Sequence, residues 1–365
     1  MKKTYWQAFR VGMLIVATIV GAGFASGREL IAFFGKFGYA AIPIAVLSAI
    51  LLFLTLALFM SVGSIIKPNT MEEFNCAVFG KFAPVIDFVL LFNFLIVLAT
   101  MFAGADSLWK IELFGKNLPV LSVFTAVLTF IIVYKGFDAM LDVNAVLVPV
   151  ILYMALIISI FSLTHPVPYE MNYSDNIGLM LFFTAIYIAM NIILSAGVIT
   201  TIKLPLSDQL KGAGIGSFVI GVFVAILTAA IMAAGINAYN SDMPVMDIAS
   251  RMNMSFVAGI IIWAGIFTTI LTSVYTLNSW MQSFIKNKAL SLMLILVVCL
   301  VISRLGFKTI VDSFYPISGV IGLLYILGVL IYYIKAKKRL KSEIKKLETK
   351  AAKIGKKAWN IISKK

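Results

Sequence analysis

The chain has 365 residues, of which 61% are hydrophobic and 13% are charged, and it carries a formal net charge of +14. So much apolar surface cannot be buried in one soluble core, which excludes an ordinary soluble globular protein and predicts a polytopic membrane protein. Two cysteines, Cys76 in a predicted loop and Cys299 within a predicted helix, and one histidine, His165 in a predicted loop, form no disulfide framework and no metal-binding pattern. No nucleophile is paired with a base, so the sequence predicts neither an enzyme nor a cofactor.

Ten apolar runs are long enough to cross a bilayer, which takes roughly 20 residues. The first begins near Phe9 and lacks the shape of a signal peptide, so we expect it to stay as a spanning helix. The chain then divides into one transmembrane domain, residues 1–334, and a tail, residues 335–365. The predicted spans are residues 8–35, 40–66, 83–110, 118–135, 144–163, 176–203, 210–235, 255–285, 289–305 and 308–334.

The stretch Val20–Leu30, VGAGFASGREL, interrupts the first span. Each of its three glycines weakens a helix by about 1 kcal/mol relative to alanine. Arg28 and Glu29 are costly at membrane depth unless they face protein or water. Backbone groups freed by a break are tolerated where they line a cavity, and there they become ligands, so we predict a substrate site made largely of backbone. Gly23 and Gly27 also fit the alternative of a helix-packing face.

A second break is predicted in the sixth span, near residues 185–190. Five spans precede it, and an odd number inverts the second half of the domain, which gives two repeats of about 5–165 and 166–334. The two interrupted helices would then cross the membrane midplane antiparallel. Their half-helix ends would direct partial positive charge and free carbonyls at one point, an arrangement that suits a ligand carboxylate with a cation beside it.

The basic residues predict the orientation. With a cytoplasmic N-terminus, 23 of the 30 Lys and Arg residues fall on cytoplasmic segments. Both termini are therefore expected on the cytoplasmic side of the cell membrane. The tail holds 13 of them, against Glu343 and Glu348. Its apolar residues recur every three or four positions, which predicts an amphipathic helix on the anionic inner leaflet rather than a nucleic-acid-binding segment. A merely solvated charged tail is the alternative.

The glycine-rich stretch, in a ten-helix chain of this size, resembles the YkvI-type bacterial membrane proteins, a branch of the amino acid–polyamine–organocation superfamily. The resemblance covers residues 5–334 and implies the leucine-transporter fold. That fold is an all-α bundle of ten transmembrane helices in two inverted five-helix repeats, with the first and sixth helices broken. It implies alternating access to a site between helices 1, 3, 6 and 8. Sodium:neurotransmitter symporters are similar more distantly.

The resemblance implies that backbone amides at the first break hold a substrate carboxylate. Phe182-Phe183-Thr184 is similar to a Phe-Phe-Thr run of the sodium symporters and brings the sixth span to the same ligand. For Tyr187 and Asn191 the alternative is hydrogen bonding between helices. The implied substrate-binding residues are Ala22, Gly23, Phe24, Thr100, Ala103, Gly104, Thr184, Tyr187, Asn191 and Thr276.

A sodium site is implied by Leu271-Thr272-Ser273 in the eighth span, which is similar to a Leu-Thr-Ser run of the sodium symporters. Relatives that use protons can place a lysine from the fifth span there, and residues 144–163 contain none. Hydroxyl stripes also occur as ordinary contacts between helices. The implied sodium ligands are the carbonyls of Ala17, Val20 and Thr269 and the hydroxyls of Thr272 and Ser273.

The sequence therefore predicts a secondary active transporter of the plasma membrane that takes up a small amino acid or similar zwitterion with sodium. Two alternatives stay open. One is proton coupling, with Glu29 and Asp106 as the carriers to examine. The other is a ligand sensor similar to spore germinant-receptor subunits, which share the fold. Asp106 could also be solvated at the outer end of its span. The substrate side chain and the oligomeric state are left undetermined.

Overall fold

The computed structural model describes residues 2–108, 120–168, 173–241, 243–305 and 314–338. Every regular element within these ranges is helical, as the sequence predicts. The part of the tail from residue 339 onwards lies outside them, and so does most of its expected amphipathic helix. The helices are α1 Lys2–Ile19, α2 Ala22–Ser26, α3 Arg28–Phe34, α4 Ala41–Ile66, α5 Met71–Phe79, α6 Ala83–Leu108, α7 Val120–Lys135, α8 Phe137–Thr164, α9 Ile177–Ile199, α10 Leu206–Ala233, α11 Ile236–Asn240, α12 Pro244–Arg251, α13 Ser255–Met281, α14 Lys288–Ile302 and α15 Phe314–Lys338.

Seven helical segments in the described ranges are long and apolar enough to cross a membrane. Three shorter apolar helices are Tyr5–Ile19, Val120–Lys135 and Lys288–Ile302. Together these segments fall on the ten runs that the sequence marks. The chain is a multi-pass membrane protein, while ten spans in two inverted repeats remain a prediction. The seven long segments are Ile42–Ile66, Met71–Leu108, Phe137–Thr164, Ile177–Ile199, Leu206–Ala233, Ser255–Met281 and Phe314–Lys338.

The interruption expected in the first span is confirmed. Helix α1 ends at Ile19, and Gly21 has extended backbone angles before the five-residue helix α2 begins. Gly27 then separates α2 from α3 with φ 84°, a left-handed conformation that glycine adopts at little cost. Because of this turn, α3 does not continue the path of α2, and the side chains at its start can face back toward the break.

The break expected in the sixth span is wrong for this structure, because α9 is a continuous α-helix. Its only glycines, Gly178 and Gly197, lie near its two ends, and it contains no proline. The middle of α9 is also held from outside. On α15, Gly319 and Gly322 lie against the backbone carbonyls of Ile186 and Ala189, and a Cβ atom at either glycine would clash with them. The middle of α9 has no glycine or proline, and α15 packs closely against it, so α9 stays regular.

The loop expected around Cys76 is also corrected, because Cys76 lies in helix α5. This helix is capped at its start by the Thr70 side chain, which accepts a hydrogen bond from Glu73 N. The Glu73 carboxylate in turn accepts from Asn69 N at 2.7 Å, so two end groups are satisfied together. The expectations for the other two residues hold: Cys299 is buried within α14, and His165 follows the end of α8 in an exposed position.

Helix α1 lies deep in the bundle because small residues let its neighbours approach closely. On α10, Gly212 lies against Val11, and a Cβ atom at Gly216 would be 3.1 Å from the Gly12 carbonyl oxygen. Helices α8, α9 and α13 also contact α1. The interruption at the end of α1 is therefore surrounded by protein, which is the condition for irregular backbone at membrane depth.

Candidate functional site

Helix α13 meets the end of α1 at the interruption. The Thr269 hydroxyl donates a hydrogen bond of 2.9 Å to the Ala17 carbonyl, and the Thr272 hydroxyl donates one of 3.0 Å to the Thr269 carbonyl. Gly265 leaves space at the same contact, since a Cβ atom there would lie 3.2 Å from the Val20 carbonyl oxygen. Ser273 is buried one residue further along α13. The residues of the implied sodium site thus lie on two touching helices, with no charged side chain among them.

Glu29 is the acidic residue at the interruption, next to Arg28, and it is 3% exposed. Because Gly27 turns the chain, the Glu29 side chain points back over α2. Its Oε2 atom is 2.8 Å from the position that a Cβ atom of Gly23 would take. The carboxylate lies beside the Asn191 side chain and close enough to Tyr187 and Tyr315 to interact with both electrostatically. It therefore occupies the space above Gly23.

The groups around this carboxylate have unused hydrogen-bonding capacity. Within the described ranges, Glu29 Oε1, Asn191 Oδ1 and the hydroxyls of Tyr187 and Tyr315 are buried and have no hydrogen-bond partner. Asn191 is oriented by its other atom, because Nδ2 donates to the Tyr187 carbonyl at 2.9 Å. Buried polar atoms in proteins are nearly always bonded, so these four atoms, one of which belongs to the carboxylate itself, are candidates to contact a polar ligand. We call these four residues the Glu29 cluster.

Other residues of the implied substrate site use their polar groups locally. The hydroxyls of Thr100, Thr184 and Thr276 each donate to the carbonyl four residues earlier in their own helix. Each of these bonds uses the single donor of the hydroxyl and leaves its oxygen lone pairs as acceptors. Thr276 also packs on Gly197 of α9. Ala103 and Gly104 are buried on α6, Gly23 and Phe24 are buried on α2, and the Ala22 backbone begins that helix. On α6 it is Met101 that faces the break, with its Sδ atom 3.2 Å from a Cβ position at Gly21.

Asp106 is held at the end of α6 by its own partners. Its two carboxylate oxygens accept hydrogen bonds from Ser122 N at 3.0 Å and from the Ser122 hydroxyl at 2.8 Å. The guanidinium of Arg304 lies 3.8 Å away. This arrangement joins α6 to α7 and to the turn after α14. Asp106 is therefore neither simply solvated nor part of the Glu29 cluster.

Several polar side chains make contacts at the end of the bundle where α11 and α12 lie. Arg28 donates to the Ser241 carbonyl at 3.3 Å, and the Lys36 ammonium lies 3.1 Å from the centre of the Phe183 ring. Burial lowers the pKa of Lys36. Burial also raises the pKa of Asp247 on α12, while a hydrogen bond with the Ser241 side chain acts in the opposite direction. These contacts cover the outer surface of α3 and separate the Glu29 cluster from that face.

The opposite end of the bundle contains two neighbouring cavities, and we call it the N-terminal face because α1 begins there. One cavity has a volume of about 390 Å³ and reaches Arg10 and Tyr275, and the other has about 580 Å³ and reaches Lys67 and Gln209. They share Lys203 among their lining residues. Arg10 bridges Asp138 at 3.3 Å and Asp142 at 2.8 Å at the edge. The N-terminal face thus contains two neighbouring cavities that are lined in part by charged side chains.

Tyr315 is the member of the cluster that sequence reasoning missed. It lies at the start of α15, in a predicted span with no glycine-rich break to attract notice. The available signal was the pair Gly319 and Gly322. Two small residues at helical spacing indicate a helix that packs closely on another. With α15 placed against α9, a buried tyrosine hydroxyl one turn before Gly319 would have become a candidate.

An all-helical bundle that encloses an interrupted first helix indicates a multi-pass membrane protein, and the solved structures that are similar to it have the leucine-transporter fold. The structure is similar to MhsT in complex with L-phenylalanine, with a TM-score of 0.64 and 14% identity, over 90% of this chain and 98% of that one. It is also similar to Mhp1, a nucleobase-cation-symport-1 family transporter, in a closed conformation with bromovinylhydantoin bound: the TM-score is 0.56 and the identity 16%, over 84% of this chain and 74% of that one. Both are secondary transporters, and at these identities the likeness shows the fold alone.

Two sequence relatives extend over almost the whole chain. The uncharacterised membrane protein YkvI of Bacillus subtilis (strain 168) is 25% identical over 344 residues, which are 89% of this chain and 96% of YkvI. YyaD, an uncharacterised protein of the same organism, is 23% identical over 348 residues, 91% of this chain and 99% of YyaD. No family model matches the chain. The chain is thus homologous to a bacterial membrane protein and has the fold of secondary transporters.

Proposed function

We propose that this protein is a secondary active transporter that takes up a small amino acid or similar zwitterion together with sodium by alternating access. The observation that carries the proposal is the contact between α13 and the interrupted first helix, where Thr269 bonds the Ala17 carbonyl. In a fold shared with two secondary transporters, this contact puts backbone carbonyls and side-chain hydroxyls at the centre of the bundle. Those are the groups that a transported solute and its coupling ion require.

Sodium is the coupling ion that these donors fit best. The carbonyls of Ala17, Val20 and Thr269 and the hydroxyls of Thr272 and Ser273 are neutral oxygen donors. Hard cations prefer oxygen ligands, and a set without a carboxylate suits a monovalent ion better than a divalent one.

For the substrate, the space next to Gly23 is the proposed site. The amides of Gly23 and Phe24 lie in the first turn of α2, where N–H groups have no acceptor within the helix, so they can receive a carboxylate. MhsT is named as a complex with L-phenylalanine, a zwitterion of the class proposed for this chain. The Glu29 cluster bounds the same space, and its four unbonded atoms are available to a polar solute.

We further propose a plasma-membrane location with both termini in the cytoplasm, so that the hollow N-terminal face opens inward. Two exposed serines test the orientation in a Cys76→Ser background, since Cys299 is buried. A cysteine at Ser250, near the end of α12, should react with an impermeant thiol reagent in intact cells. A cysteine at Ser207 should react only after the membrane is opened. The reverse pattern would contradict the orientation.

Counterflow in proteoliposomes tests the function. Vesicles holding purified protein are loaded with an unlabelled amino acid, and uptake of the labelled compound is followed with sodium and with potassium. L-phenylalanine and L-alanine serve as large and small probes. Transient accumulation above equilibrium that requires sodium supports the proposal. Binding without counterflow would indicate a sensor, and uptake that ignores sodium but follows an imposed pH gradient would indicate proton coupling.

A further inference from the structure

We propose that Glu29 binds the ammonium group of the solute, with Asn191 Oδ1 and the hydroxyls of Tyr187 and Tyr315 as its partners. The inference rests on the proposed function, because it names the chemical group that this site selects. It assigns the solute to the class of primary amines, either amino acids or their decarboxylated amines. Solutes that carry only a carboxylate are excluded from the class.

The charge of the Glu29 carboxylate favours a cationic ligand. Glu29 is 3% exposed, and no Lys, Arg or His nitrogen among the described residues lies within 4.0 Å of its carboxylate. Neighbouring Arg28 is directed to the Ser241 carbonyl at the outer end. A buried carboxylate without a cationic partner is costly, and a cationic ligand would remove that cost.

The number and type of the unbonded atoms also favour an ammonium group. An ionised Glu29 Oε1 accepts hydrogen bonds but cannot donate them, and the same is true of the amide oxygen Asn191 Oδ1. The two tyrosine hydroxyls can accept as well as donate. A primary ammonium group has three N–H donors. It could therefore bond the carboxylate, the amide oxygen and one hydroxyl at once. A single proton would satisfy only one of these acceptors.

The aromatic rings beside the Glu29 cluster favour an ammonium group over a sodium ion. The Tyr187 ring makes edge-to-face contacts with the rings of Phe33 and Phe34, whose centroids are 5.4 Å and 5.0 Å away. Aromatic faces attract organic cations and offer few oxygen ligands to a bare metal ion. The neutral oxygens that suit sodium lie instead on α13 and at the end of α1. The two cations of the proposed cycle thus have separate places of different chemistry.

The test measures binding by the purified full-length protein in detergent, by thermal shift and calorimetry, independently of transport. The probes are two matched sets: L-phenylalanine, phenethylamine and 3-phenylpropionate, and L-alanine, ethylamine and propionate. The wild type should bind an amino acid and its amine but not the acid that lacks nitrogen. Glu29→Gln should weaken the binding of both nitrogen compounds by about 30-fold or more, since it removes one partner of a buried charge pair.

Two further variants keep the test decisive if Glu29→Gln folds poorly. Tyr315→Phe removes one hydroxyl and leaves the carboxylate, and it should weaken amine binding by several-fold without changing the sodium dependence. Asp106→Asn is the matched control, because it removes a carboxylate that is held by Ser122 instead, and it should leave the affinity unchanged.

Several results would overturn the inference: equal amine affinity in Glu29→Gln, binding of the nitrogen-free acids, or no response of the wild type to any of the ammonium compounds at millimolar concentration. Loss of sodium dependence in Glu29→Gln with the amine preference intact would assign Glu29 to the sodium ion. Loss of a pH-gradient response alone would assign it to a proton. Amine selectivity without counterflow would contradict only the transport proposal, and sodium-driven counterflow unaffected by Glu29→Gln would contradict only the inference.

Discussion

The two helices expected to be interrupted behave differently in the structure. The first is divided at Gly21 and Gly27 into α1, α2 and α3, whereas α9 runs without a break from Ile177 to Ile199. The divided helix supplies free backbone groups and a carboxylate. The continuous helix supplies an aromatic hydroxyl and an amide oxygen from regular positions. The proposed central site would thus combine backbone ligands from one side with side-chain ligands from the other.

The difference follows from local chemistry. Glycine in the first span lowers the cost of leaving the helix and permits φ 84° at Gly27. The middle of α9 contains neither glycine nor proline and is packed against the glycines of α15. A bundle with one interrupted helix therefore has its conformational freedom on the side of α1–α3.

The largest expected effect is on the interrupted side, in Gly23→Val. A Cβ atom at Gly23 would lie 2.8 Å from Glu29 Oε2 and 3.0 Å from Glu29 Cβ, so a side chain would fill the substrate space. We expect loss of amino-acid binding in a thermal-shift assay with the fold retained. Gly214→Val is the control, because a Cβ atom there meets only Phe53 at 3.9 Å. Normal binding by Gly23→Val would mean that the glycines form a packing face and that the site lies elsewhere.

On the continuous side, Ala185→Pro should destabilise the protein by about 3 kcal/mol, because proline removes a hydrogen bond from the middle of a helix and clashes with the preceding turn. The measurement is the thermal unfolding midpoint in detergent. Ile177→Pro is the matched control at the first position of α9, where no intrahelical acceptor is lost and the Asn176 backbone before it is extended. Equal midpoints for the two variants would show that α9 does unwind near residue 185.

The sodium contact gives an effect of intermediate size. Thr272→Ala with Ser273→Ala removes both side-chain oxygens from the implied shell and leaves three carbonyls. We expect a loss of about 1 to 3 kcal/mol in coupling, or about 5- to 150-fold in the sodium-dependent affinity for an amino acid. Ser279→Ala is the control, since its hydroxyl bonds the Tyr275 carbonyl of the same helix away from α1. An unchanged sodium dependence in the double variant would remove the sodium assignment.

The smallest effect is expected at the N-terminal face. Arg10 ties the start of α1 to Asp138 and Asp142, whose side chains are 87% and 66% exposed. Exposed ion pairs contribute roughly 0 to 1 kcal/mol and weaken with salt. Arg10→Gln should therefore change the counterflow rate by less than about 5-fold, and added potassium chloride should reduce the difference from the wild type. A larger change that salt does not affect would indicate that Arg10 has another role.

The outcome shows which features sequence alone could predict. The apolar runs were readable because their length and hydropathy exceed what a soluble core uses, and the first break was readable from three glycines in eleven residues. The break in the sixth span was expected by analogy with the first, although residues 179–196 contain no helix breaker. Cys76 was assigned to a loop because α5 is too short and mixed in polarity to stand out from a connection.

The site was predicted in part for a similar reason. Helical spacing placed Thr269 and Thr272 on the face that meets α1. Tyr187 and Asn191 were named, but the sequence could not choose between binding and bonding between helices, and the structure leaves both with an unbonded atom. The direction of Glu29 depends on the left-handed turn at Gly27, and the contribution of Tyr315 depends on how α15 meets α9. Both are three-dimensional facts that spacing along one helix does not contain.

The glycine contact between α15 and α9 also determines what can move. Gly319 and Gly322 bring the two backbones so close that neither helix can slide past the other without a clash at Ile186 or Ala189. We therefore expect α9 and α15 to travel as one rigid unit. Tyr187, Asn191 and Tyr315 would then keep their mutual spacing throughout a cycle. Opening of the site would come from displacement of α1–α3, which would carry Glu29 away from a preformed half-shell and return it.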